Sequence, residues 1–64
     1  MLSQEIKEVR KKHKLSQERL AKKAEITYST LIKIESGSNK NPTIKTLQKI
    51  AKALNVKIDD LIKG

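Results

Sequence analysis

Apolar residues recur along this chain with the spacing of a helix, in short runs separated by polar breaks. Leu2, Ile6 and Val9 lie four and three positions apart and predict a first helix over residues 1–14. Ser3 is its expected cap. Gln4, Glu5 and Glu8 stand near its positive end, and Arg10-Lys11-Lys12-His13-Lys14 complement the other end of the dipole. Leu20, Ala21 and Ala24 predict a short second helix that opens on the cap Ser16, with Leu15 placed to staple against Leu20. The pattern breaks at Glu25-Ile26. Thr27 then caps a third helix, Tyr28 to Ser36, which turns Leu31 and Ile34 inward and ends at Gly37, where a left-handed residue is needed. Beyond the polar loop Ser38–Pro42, Thr43 caps a fourth helix from Ile44 to Leu54. Its expected core face is Ile44, Leu47, Ile50, Ala51 and Leu54, and Asn55 is its left-handed cap. A short last helix follows over residues 58–63, with Asp59 and Asp60 at its positive end. Leu61 and Ile62 are adjacent, so only one of them can seal the core.

The fold class is therefore all-α, and 64 residues read as a single domain, 1–64. A chain this short buries only about 60% of the surface its unfolded form exposes, so its core must be efficient. With Tyr28 the sole aromatic, that core is aliphatic. No cysteine is present, which excludes disulfides and thiolate metal sites. No apolar run reaches membrane-spanning length and none resembles a signal peptide, so a cytoplasmic location is expected.

Charge narrows the picture further. A net charge of +8 predicts attraction to a polyanion, although a lysine-rich surface can also serve solubility alone. From Ser36 to Ile58 the only charged residues are Lys40, Lys45, Lys49, Lys52 and Lys57. The lysines of the fourth helix read as mostly solvated. His13 has no second ligand candidate near it, so neither a metal nor a catalytic role is expected. With no Gly-rich phosphate loop and no inward carboxylate pair either, the chain does not read as an enzyme, and no cofactor is expected.

Two short helices across a tight turn have the outline of a DNA-binding helix-turn-helix, an outline shared by any ordinary helical hairpin. If Leu31 and Ile34 face inward, Tyr28, Ser29, Ile32 and Lys33 face outward, with Thr30 at the flank. In a major groove, Tyr28 and Ile32 would meet thymine methyl groups while Ser29 and Lys33 bond base edges. The alternatives are that Ile32 is covered by the fourth helix or a dimer partner, and that Tyr28 packs on its own helix.

The residues themselves sharpen the outline. The stretch LSQERLAKKAEITYSTLIKIESG resembles the helix-turn-helix of the phage Cro and lambda-repressor-like family. The matching positions are Gln17, Leu20-Ala21, Ile26, Thr27, Leu31, Ile34, Glu35 and Gly37, and NPTIKTLQKIAKALNVKIDDLI is similar to the family's fourth and fifth helices. The resemblance implies a compact five-helix lambda-repressor-like DNA-binding domain whose helix-turn-helix is formed by helices 2 and 3. It also implies an Arg10–Glu35 ion pair near the DNA face. Phosphate contacts are then expected from Arg10, Gln17, Thr27, Thr30, Asn39, Lys40 and Asn41, with Lys40 foremost. The expected function is a sequence-specific, double-stranded-DNA-binding transcriptional regulator. It would act as a homodimer on a palindromic operator, paired through the region around Ile58–Ile62. The alternatives are an antitoxin, with a toxin as protein partner, or a restriction–modification controller protein. Two positions depart from the family, which usually has glycine where this chain has Lys14 and Glu25. A non-glycine residue at positive φ costs of order 1 kcal/mol, so these turns are either strained or built differently.

Overall fold

The computed structural model describes residues 2–62. Within them the chain forms five helices and no strand: α1 (Leu2–Lys12), α2 (Gln17–Ala24), α3 (Tyr28–Ser36), α4 (Ile44–Leu54) and α5 (Ile58–Ile62). The expected ends at residues 1 and 63 lie outside the described residues. Ser16, Thr27 and Thr43 each accept a hydrogen bond from the backbone N–H three residues on, at 3.1 Å. Each such cap stabilises its helix by about 1 kcal/mol.

Ser3 is not a cap. Leu2 packs against the core and belongs to the helix, so α1 begins one residue before Ser3. The same helix stops at Lys12 rather than Lys14. Lys14 takes φ 57°, and the Leu15 N–H donates back to the Arg10 carbonyl at 3.2 Å. Glu25 does the same at the end of α2, with φ 59°, and so does Asn55 after α4, with φ 57°. The left-handed turn thus survives at Lys14 and Glu25 without glycine, and of the two alternatives the strained one holds. Gly37 ends α3 at φ 86°, where a side chain would be strained although nothing crowds the site.

Ile6, Leu20, Leu31, Ile34, Ile50, Leu54 and Leu61 are fully buried, with Ala21, Ala24, Leu47, Ala51 and Ala53 filling in between them. α2 packs on both α3 and α4, while α1 packs on α3 and α5 and so closes the other side. Leu61 seals the core and Ile62 is exposed. Ile44 departs from expectation, for it is 63% exposed. As the first residue of α4 its side chain points back beyond the packed turns, and Leu47, Ile50, Ala51, Ala53 and Leu54 carry the buried face alone.

Candidate nucleic-acid interface

Glu35, in the last turn of α3, is the one buried charged side chain among the described residues. A buried carboxylate needs donors in place of water, and neighbouring helices supply three. Arg10 donates from Nε to Glu35 Oε2 at 2.7 Å and from a terminal nitrogen to Oε1 at 3.1 Å. Gln17 Nε2 donates to the same Oε1 at 2.9 Å. The remaining Arg10 terminal nitrogen donates to the Leu15 carbonyl at 2.8 Å. That carbonyl is within reach because Lys14 turns the chain back in the left-handed conformation. No buried side-chain polar atom among the described residues lacks a partner.

This cluster ties α1, the start of α2 and the end of α3 to one another. Fork-to-fork pairing fixes orientation as well as distance, so α3 is held at a set angle to α1, and the Gln17 bond ties the start of α2 to the same carboxylate. Arg10 uses three of its five N–H groups inside the protein and keeps two for a further acceptor. Its side chain is 11% exposed, enough for one contact at the surface. The expected Arg10–Glu35 pair is therefore present. The Gln17 bond to Glu35 was not legible in the sequence. Its only local signal is the position of Gln17 at the first turn of a helix, which says nothing about a partner on α3.

The outer side of α3 carries the expected reading face. Tyr28 is 50% exposed, Ser29 and Lys33 are exposed, and Ile32 is half-buried. Ile32 is neither free on the surface nor enclosed, so its outer part continues the face set by its neighbours. Tyr28 and Glu35 are two turns apart, about 10 Å along the axis. Thr27 caps α3, and its hydroxyl also lies 2.7 Å from that of the half-buried Thr30. Each hydroxyl thereby orients the other.

The loop after α3 is ordered by its own short-range bonds. The Asn39 backbone N–H donates to the Lys33 carbonyl at 3.0 Å. Asn39 Oδ1 accepts from the Asn41 N–H at 3.1 Å, and the Ser36 hydroxyl donates to the Lys33 carbonyl at 3.1 Å. Asn39 is half-buried and shapes the loop, whereas Lys40 and Asn41 are exposed. The structure thus groups Thr27, Tyr28, Ser29, Thr30, Ile32 and Lys33 on one helix. Arg10 and Gln17 meet at Glu35, and Lys40 and Asn41 stand on the adjoining loop. His13 is exposed just past α1 and joins none of these groups. The arrangement offers hydrogen-bond donors, cations and a small apolar surface, the chemistry of anion and base-edge recognition.

A helix-turn-helix family model matches residues 6–61. The chain belongs to the lambda-repressor/Cro-like helix-turn-helix family. Within that family, an uncharacterised HTH-type transcriptional regulator of Archaeoglobus fulgidus is 41% identical over 56 residues, 88% of this chain and 78% of that protein. Another, from Methanocaldococcus jannaschii, is 42% identical over 60 residues, 94% of this chain and 89% of that protein. Among solved structures, SinR, the master regulator for biofilm formation, in complex with DNA is similar with a TM-score of 0.94 and 37% identity. The match covers 97% of this chain and 98% of that one.

Proposed function

We propose that this chain regulates transcription by binding double-stranded DNA in a sequence-specific way, residues 1–64 acting as one DNA-binding domain with α3 in the major groove. The observation that carries this reading is the buried Arg10–Glu35–Gln17 cluster, which fixes the angle of a short helix whose outward residues are Tyr28, Ser29, Ile32 and Lys33. Similarity to SinR, which is solved in complex with DNA, supports it. In this reading Ser29 and Lys33 bond base edges, and Tyr28 and Ile32 contact thymine methyl groups. Arg10, Gln17, Thr27, Thr30, Asn39, Lys40 and Asn41 set the register through phosphates, the two spare Arg10 N–H groups among them.

The protein acts as a homodimer in the cytoplasm. Two copies place their recognition helices about 34 Å apart, in successive major grooves of a palindromic operator. Ile62, exposed at the end of α5, is the apolar residue offered to the second copy there. Selection of sites from a random duplex pool at moderate salt tests the proposal. A two-fold symmetric motif is the expected result. Retention that depends on salt but not on sequence would overturn the base-reading role of α3.

A further inference from the structure

The proposed reading face accounts for few of the cations. Lys33 and Lys40 are the lysines of α3 and the loop that follows it, in a chain with 15 Lys and Arg. A second group stands elsewhere. On α2, Arg19, Lys22 and Lys23 are exposed at helical spacing, and on α4, Lys45, Lys49 and Lys52 recur at spacings of four and three. Because α2 and α4 pack on one another, the two stripes are brought side by side. Between them lies a cleft of about 400 Å³ lined by Lys23, Ala24, Glu25, Lys49, Lys52 and Ala53. A shallower depression lined by Leu15, Arg19, Lys22 and Lys23 shares Lys23 with it and lengthens the cationic track along α2. None of the lining residues belongs to α3 or to the loop after it.

Cations outnumber acids here, with Glu18 on α2 and Glu25 at its end, and among the described residues no acid lies at ion-pair distance from the two stripes. Glu25, at the end of the cleft, is the one acid in its lining. Clustered like charges oppose folding, and a cluster that contributes nothing to the core is a surface suited to an anionic partner.

We infer that the α2–α4 cleft is a docking site for an acidic segment of a partner protein, separate from the surface read by DNA. Two features favour a peptide over a second duplex. The floor is Ala24 and Ala53, with no long side chain to hold a ligand off. The cleft of about 400 Å³ has room for a few acidic side chains, whose carboxylates the wall lysines would meet as point charges. A regulator bound to DNA through α3 would keep this cleft open to such a partner. That last point rests on the DNA-binding reading; the cleft itself does not.

The test is titration of ¹⁵N-labelled protein with an N-acetylated Glu-Ala repeat peptide, followed by amide shifts. A duplex carrying the selected operator is titrated in parallel. Saturable shifts confined to residues 19–25 and 45–53 are expected. Replacing Lys23, Lys49 and Lys52 together by Gln should weaken peptide binding about tenfold, as the loss of a few exposed charge contacts. A Lys7→Gln/Lys12→Gln variant of α1 should bind as the parent does. A thermal melt confirms that each variant is folded. Shifts spread over every lysine-bearing surface, shifts on α3, equal loss in both variants, or no saturable shift would each overturn the inference. So would shifts of the same amides on concentrating the protein alone, which would make a second copy the occupant. Binding of a non-operator duplex in this cleft, with no response to the peptide, would overturn it as well. Shifts on α3 with the operator duplex report the DNA reading separately, so either idea can fail while the other stands.

Discussion

Glu35 carries a charge in a place where water cannot solvate it, and Arg10 and Gln17 are the reason it can. Removing one member of such a pair costs more than the pair is worth, because the survivor is left buried and unpaired. Arg10→Met is therefore expected to lower stability by about 3 kcal/mol, and Arg10→Met/Glu35→Leu to recover most of that loss. Urea unfolding of the two variants decides it, and an equal loss in both would show that the charge is not the cause. Lys14 and Glu25 show a strained backbone instead, each holding a non-glycine residue in the left-handed region. Lys14→Gly and Glu25→Gly should each raise the urea midpoint, by up to about 1 kcal/mol of stability, less the greater entropy glycine loses on folding. Asn55, already tolerant of the left-handed region, should gain less from the same change.

α2 and α3 have 8 and 9 residues, too few to be helical alone in water. Their caps decide where they start, but packing decides that they exist. Leu31 is the clearest case, fully buried on the inner face of α3. Leu31→Ala should cost about 2–5 kcal/mol, comparable with the whole stability of a domain this size. Loss of a cooperative thermal transition, or a large fall in its midpoint, would be the sign. On the outer side of the same helix the consequences are for binding. Lys33→Ala and Ser29→Ala should change which bases are preferred, while Lys40→Ala in the next loop lowers affinity by a similar factor on every sequence. Competition between operator variants separates the two behaviours, and an unchanged preference in Lys33→Ala would remove it from base reading.

The molecule spans 24 × 21 × 18 Å and the chain carries a net charge of +8, with lysines on α1, α2, α3 and α4. Only part of that charge can meet one duplex. If each protomer contacts about four phosphates, binding should weaken with salt at a log–log slope near −7 per dimer. Fluorescence anisotropy across a salt series measures it; a slope near zero would sink the DNA reading. A slope much steeper would place the α2–α4 lysines on DNA as well, against the docking site inferred for that cleft.

Much of this protein is determined by near neighbours along the chain, and so is legible in the sequence. Ser16, Thr27 and Thr43 cap helices through bonds to residues three positions away. Gly37 and Asn55 end them through their own backbone preferences. The inward placing of Leu20, Leu31, Leu47 and Ile50 follows from helical period. The Arg10–Glu35 pair, 25 positions apart, was expected only because the chain resembles a known family. What the tertiary structure alone decided depends on the angles at which helices meet. Those angles made Leu61 rather than Ile62 the seal, left Ile44 beyond the packed turns of α4, and brought Gln17 to Glu35 across 18 residues. They also set Lys49 and Lys52 of α4 beside Lys23 of α2, turning lysines that read as solvated into the walls of a cleft. A side chain's face is fixed by its own helix, but what stands opposite that face is fixed only when the core closes.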